Sequence, residues 1–366
     1  MMKLYRMELY KLCSKKLFMI LAGGIAAVML WMFSLEVSEE EATIDGVKHV
    51  GFEAVQINRE ITEEFKGVLT DEKIQQIVVK YGLPKKVEEG WGYFRDMNFL
   101  NEFVMNYLTN AYINDWNDYC AASIVYPMAN TDLGKVMELT GEEIVLEYYK
   151  GWRVFLRILS TGMIMGSVLV IFTISPLFAN ENQNRTLPLL FTTKEGKRKD
   201  IKVKIAAAFT VTLGIWIGIF LFDLLLCGSV YGFDGLACYN GMVLNYLFPW
   251  PDRMIPLPNY LFLVVLLCFL GIFLLAGITI CISAGCKNTF HAVTVTAICW
   301  GAPILIQVFT GFNGIGRLLA AAPLFMVVSG SIDSSFHFWM FPMGIAVVVL
   351  VCCVFGAYRK CRRQGR

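Results

Sequence analysis

Charge is scarce in this sequence, and its absence is concentrated. Only 17% of the 366 residues are Asp, Glu, Lys or Arg, against 56% hydrophobic. A soluble domain carries about 25% charged residues. Residues 17–35, 158–180, 254–286, 288–316 and 334–358 contain no charged side chain at all, and 205–233 contains only Asp223. A helix crossing the hydrocarbon core needs about 20 predominantly apolar residues. Six such runs exclude a soluble fold, because too little polar chain remains to cover them. Catalytic signatures are missing too. There is no GxxxxGK[ST] loop for a nucleotide, no HExxH and no GxSxG. Eleven cysteines form no CxxC pair and no zinc spacing. The three histidines, His49, His291 and His337, are far apart and read as surface or interfacial residues. Neither a catalytic group nor a metal site is expected in this chain.

What charge there is follows a pattern. Residues 1–16 hold Lys3, Arg6, Lys11, Lys15 and Lys16 against Glu8 alone. The segment 179–204 holds seven bases and three acids, and 358–366 holds five bases and no acid. Residues 36–150 hold 22 acids and ten bases. Short basic segments stay on the cytoplasmic side. That places both termini and the 179–204 loop inside and the acidic 36–152 segment outside, an arrangement that requires six spans. The first run, 17–35, is too long for a signal-peptide core and lacks a small-residue cleavage site, so it reads as an uncleaved span.

The expected fold is therefore an all-α polytopic membrane protein with spans near 17–35, 154–178, 205–231, 260–284, 290–310 and 336–357. Residues 1–16 read as an amphipathic interfacial helix, with Leu4, Tyr5, Leu9 and Leu12 at helical spacing and cations between them. The outer domain reads as mainly helical. Thr70-Asp71-Glu72 is a helix start, stopped by Gly82 and Pro84. A second helix is expected through Asn101–Tyr119. A third is expected from Thr140-Gly-Glu-Glu143, a capping-box pattern, running into the second span. Trp91, Tyr93, Phe94, Phe99 and Trp116 are the expected core. Residues 318–332, only fifteen long with Pro323 inside, read as a re-entrant or interfacial segment. Trp250 and Tyr260 suit an interfacial aromatic belt.

Three features stand out as candidates. Asp223 is an acid inside a span, which is costly in hydrocarbon and marks a functional position by default. Arg157, near the outer end of the second span, is its expected ion-pair partner. Gly162/Gly166 and Gly214/Gly218 have the GxxxG spacing that lets helices approach closely, between the second and third spans or at a dimer face. Cys120 and Cys238 fall in outer segments and read as free thiols or a disulfide.

The inner loop carries a pattern of its own. It reads Phe178-Ala-Asn-Glu181-Asn-Gln-Asn184-Arg-Thr186-Leu-Pro-Leu-Leu190-Phe-Thr-Thr193-Lys-Glu-Gly-Lys197-Arg198, then Asp200 through Lys204. This resembles the stretch after the second span in ABC-2 type transporter permeases. Glu181, Thr186, Leu187, the Leu189–Leu190 pair, Arg198 and Lys204 stand in comparable places. Arg185 replaces the usual Gly, and Lys194 stands near the usual Pro. The resemblance implies a coupling helix that docks on a separate ATP-binding subunit through Glu181, Arg185, Thr186, Leu187, Leu190, Lys197, Arg198 and Lys204. It further implies a homodimer or a heterodimer with another permease, and a bacterial plasma-membrane location. No cofactor is expected in this chain, with ATP and Mg2+ on the partner subunit, and no nucleic acid. The cargo of such a permease would be a peptide or an amphiphilic drug. A different class of function stays open: a membrane sensor or signalling protein whose outer domain binds a peptide or envelope ligand without transport. A membrane enzyme or secondary transporter would need a larger polar cluster inside the spans than Asp223 alone.

Overall fold

The computed structural model describes residues 2–86, 94–113, 119–120, 124–184, 199–244, 254–310, 316–328 and 336–364. In chain order the elements are α1 (Met2–Cys13), α2 (Lys16–Ser38), β1 (Glu41–Ile44), β2 (Val47–Val50), α3 (Phe52–Phe65), β3 (Gly67–Val68) and α4 (Asp71–Tyr81). There follow β4 (Lys85–Lys86), β5 (Phe94–Arg95), α5 (Phe99–Leu108), β6 (Tyr112–Ile113), β7 (Tyr119–Cys120), α6 (Asp132–Thr140) and β8 (Val145–Leu146). The remainder is helical: α7 (Lys150–Ile174), α8 (Pro176–Gln183), α9 (Ile201–Tyr231), α10 (Asn240–Leu244), α11 (Leu257–Ser283), α12 (Thr289–Thr310), α13 (Gly316–Leu319), α14 (Pro323–Val327) and α15 (Phe336–Gln364). Among the described residues, six helical stretches are long and apolar enough to cross a membrane: α2, α7 with α8, α9, α11, α12 and α15. The chain is a multi-pass membrane protein on that ground, because six apolar helices of this length need a hydrocarbon solvent.

The chain divides into two compact units. The first comprises residues 1–29, 158–223 and 263–366. Its core gathers Leu263, Leu267 and Leu274 of α11 with Ala320, Met326, and Trp339 and Ala346 of α15. Small residues set how closely its helices approach. A Cβ on Gly166 of α7 would stand 2.5 Å from Ile219 Cδ1, and one on Gly162 would stand 2.8 Å from Ile219 Cγ2 and 2.9 Å from Met29 Sδ. This pair is therefore the contact of α7 with α9 and α2. Gly214 and Gly218 differ: nothing lies within 4 Å of a Cβ built on either. Residues 316–328 form two short helices, broken before Pro323, rather than one. The second rests on Gly271, whose added Cβ would meet the Pro323 carbonyl oxygen at 2.9 Å.

The second unit comprises residues 30–157 and 224–262. Among the described residues it is mainly helical with four two-stranded antiparallel ribbons. In the β1–β2 hairpin, Asp45 and Gly46 both take positive φ (52° and 76°), as two-residue hairpin turns of the primed type demand. Helix α4 begins as its sequence dictates: the Thr70 hydroxyl accepts from the Lys73 amide at 3.3 Å, and Gly82 ends it at φ 66°. The helix expected over 101–119 is shorter. Asn98 caps α5 with a full capping box to Asn101, and the helix stops at Leu108. The helix expected to start at Thr140 does not exist. Thr140 instead ends α6, with Gly141 in the left-handed region at φ 69°, and β8 intervenes before α7. An edge-to-face aromatic cluster fills the core, with Phe99 4.9 Å from Tyr148 and 5.0 Å from Tyr149 between ring centroids. Phe94 is described only as backbone, and Trp91, Tyr93, Trp116 and Trp250 lie outside the described residues.

Replacing Gly166 by Leu is expected to lower stability by about 1–3 kcal/mol, the usual range for overpacking a filled interior. Gly24→Ala, which meets nothing within 4 Å, should leave the protein unchanged. Thermal unfolding of detergent-solubilised protein distinguishes the two.

Candidate functional site

The site begins where α7 breaks. Pro176 has no amide hydrogen, so the Phe172 carbonyl loses the donor that a continuing helix would give it. One side chain organises the turn that follows. The Ser283 hydroxyl, at the end of α11, donates to the Ser175 carbonyl oxygen at 2.7 Å and accepts from the Phe178 and Ala179 amides at 3.0 and 3.2 Å. It thereby caps α8 from another helix. Two more bonds tie α8 to the turn before α12. Asn182 Nδ2 donates to the Cys286 carbonyl at 3.0 Å, and the Thr289 backbone amide donates to Gln183 Oε1 at 3.3 Å.

Glu181 lies on this helix, and Lys204 lies in the first turn of α9. The Lys204 ammonium donates to both Glu181 oxygens at 2.6 and 2.7 Å and to Asp200 Oδ2 at 2.6 Å. Its side chain is only 1% exposed, and it also sits 5.9 Å from the Phe178 ring centroid. A buried lysine survives only when its charge is paired and its donors are bonded. All three of its protons have an acceptor here. The structure thus brings together two of the predicted coupling residues across a stretch of 23 positions. It adds Asp200, which the sequence signalled only as an acid four residues before Lys204 on one helical face. Arg185, Thr186, Leu187, Leu190, Lys197 and Arg198 lie outside the described residues.

Beside this cluster, α1 contributes a buried acid. Glu8 is 3% exposed and pairs with Lys11 at 2.6 Å. A cavity of about 460 Å3 lies between α1 and α8, lined by Glu8, Lys11, Lys15, Asn180 and Glu181 among others. The apolar face expected of α1 is present, with Leu12 buried, but Glu8 shares it.

Two candidates remain. In the second unit Arg157 pairs with Glu36, the first acid after the 17–35 run. That partner was missed, although an acid closing one span and a base opening the next invite the pairing. In the first unit Asp223 is fully buried on α9.

Residues 232–244 are bound into the second unit by many polar contacts. Trp152 Nε1 donates to the Asp234 carbonyl at 2.7 Å, Arg153 Nε to Val243 at 2.9 Å, and the Tyr107 hydroxyl to Met242 at 3.1 Å. Gly235 packs directly on Tyr149 at φ 92°, a position closed to other residues by both space and backbone. Burial drives the Tyr107, Tyr148 and Tyr149 phenols above their ordinary ionisation range. Cys238 is a free buried thiol pointing at the Val145 carbonyl at 3.5 Å, so it forms no bridge to Cys120. Among the described residues, no group of His, Cys, Asp and Glu gathers as a metal site.

A scan against protein-family models and searches of curated proteins and solved structures return no match.

Two outcomes follow from this geometry. Lys204→Met leaves Glu181 and Asp200 without their counter-charge and should cost about 3–5 kcal/mol, as breaking a buried pair does. Adding Glu181→Leu should recover part of that loss in the same unfolding assay. Burial pushes the Cys238 thiol up to about 12. Its stabilising contribution is therefore complete below the ordinary thiol range and lost as pH rises through about 12. In a variant retaining only this cysteine, maleimide at pH 8.5 should label the folded protein far more slowly than the denatured one.

Proposed function

We propose that this chain is the transmembrane permease subunit of an ATP-driven exporter, forming the cargo pathway while a separate subunit hydrolyses ATP. The observation that carries the reading is the Lys204–Glu181–Asp200 cluster. It clamps together the two helix ends that flank residues 185–198, the loop whose pattern resembles the coupling segment of ABC-2 permeases. A loop held at both ends by a buried ion cluster can transmit a push to two spans at once. The Ser283 cap passes the same displacement on to α11.

The charge distribution supports an orientation with both termini and this loop in the cytoplasm and the second unit's domain outside, in a bacterial plasma membrane. One set of six spans makes the chain half of a pathway, completed by a second copy or another permease. The aromatic outer domain suits a peptide or an amphiphilic drug as cargo. Within this reading, α8 is the coupling element, and Arg185, Thr186, Leu187, Leu190, Lys197 and Arg198 form the surface that meets the ATP-binding subunit.

Co-purification with the ATP-binding subunit encoded beside this chain tests the reading. The wild type should retain that subunit, and Lys197→Glu/Arg198→Glu should reduce retention at least tenfold without altering insertion. Vesicles holding the complex should hydrolyse ATP faster when cargo is added. A chain that binds no such subunit, while its outer domain binds a peptide without transport, would be a sensor instead.

A further inference from the structure

The first unit holds a large cavity that the coupling cluster does not use. Its volume is about 580 Å3, inside the range of about 300–1,000 Å3 that ligand clefts occupy. Four helices wall it, α7 through Leu169 alone. Cys13 and Tyr10 come from α1, Phe18, Ile25 and others from α2, and residues from Thr210 to Phe222 from α9. Almost all of this lining is apolar. Gly214 and Gly218 form part of the wall, and their missing side chains leave the space open. A hydrogen bond of 2.7 Å between the Tyr5 and Thr210 hydroxyls holds α1 against α9 at one edge.

We propose that this cavity binds one acyl chain of an anionic glycerophospholipid, with the headgroup phosphate held by cations of α1. The proposal rests on the six-span membrane reading, but not on the exporter reading. Charge complementarity selects the occupant. Lys3 and Arg6 lie seven and four residues before Tyr10, in the pattern i, i+3, i+7, so all three share one face of α1. Lys3, Arg6 and Tyr10 are all exposed, and Tyr10 itself lines the cavity. Lys15 and Lys16 follow where α1 gives way to α2. Residues 1–16 carry five bases and one acid, and that acid is already paired with Lys11. A site that is apolar within and cationic at one edge matches a molecule with a hydrocarbon tail and an anionic head. Van der Waals contact with the apolar wall holds the chain, and each cation near an anionic headgroup adds to it. A second copy of this chain would bring the same basic α1 to the same face and meet like charge.

The experiment uses full-length protein in nanodiscs of phosphatidylcholine doped with phosphatidylglycerol carrying a photoactivatable acyl chain. After irradiation, labelled peptides are mapped by mass spectrometry. Label should concentrate on residues 9–29 and 210–222, and unlabelled phosphatidylglycerol should compete it away on the wild type. Gly214→Leu/Gly218→Leu should lower it at least fivefold, while Gly301→Leu should not. Lys3→Gln/Arg6→Gln should remove the preference over a phosphatidylcholine probe. Equal labelling by both probes on the wild type would overturn the proposal. So would label indifferent to unlabelled competitor, or photocrosslinked dimers joined through 210–222. Competition on the wild type decides the matter even if the leucine variants fail to insert.

Discussion

Inside hydrocarbon, a backbone amide or carbonyl that leaves its helix has no water to turn to. The architecture of the first unit follows from that constraint. Spans are helices because helices satisfy themselves, and each interruption needs a named partner. The break at Ser175–Pro176 has one in Ser283, a single hydroxyl that donates once and accepts twice. Without it, α8 would begin with bare amides in a buried setting, and its orientation would be undefined. The buried Lys204 depends on that helix in turn, because Glu181 meets it only if α8 runs in this direction.

The second unit is organised by local signals along the chain. Threonine and asparagine caps start its helices, glycines end them, and an aromatic cluster fills its centre. Its many ion pairs are mostly half-exposed, and such pairs contribute little each. Packing of Phe99, Phe103, Tyr148 and Tyr149 matters more than charge there.

The six apolar helices were legible in the sequence because hydrocarbon imposes a length and a composition that survive any detail of packing. Thr70 was legible because a cap, two acids and a closing glycine agree. Thr140 misled because Thr-Gly-Glu-Glu has the letters of a start, while a glycine directly after Thr140 is a stop. The apolar residues upstream, Leu133 and Val136, decide between them. The Asp45-Gly46 hairpin had a clear local signal that a helical expectation passed over. At the candidate site, the pattern of the loop marked Glu181 and Lys204 but said nothing of their direct contact. Separation of 23 residues hides a pairing that only the chain's return can make. Glu8 was masked differently, as an acid on an otherwise apolar face whose partner lies three residues away.

The clamp between Glu181 and Lys204 also bears on how the connecting loop can change. Its two ends are fixed by a buried ion cluster rather than by its own length. The entropy of closing a connection grows only with the logarithm of its length, about 0.6 kcal/mol for each doubling. The placement of the two helix ends therefore depends more on this clamp than on how many residues connect them.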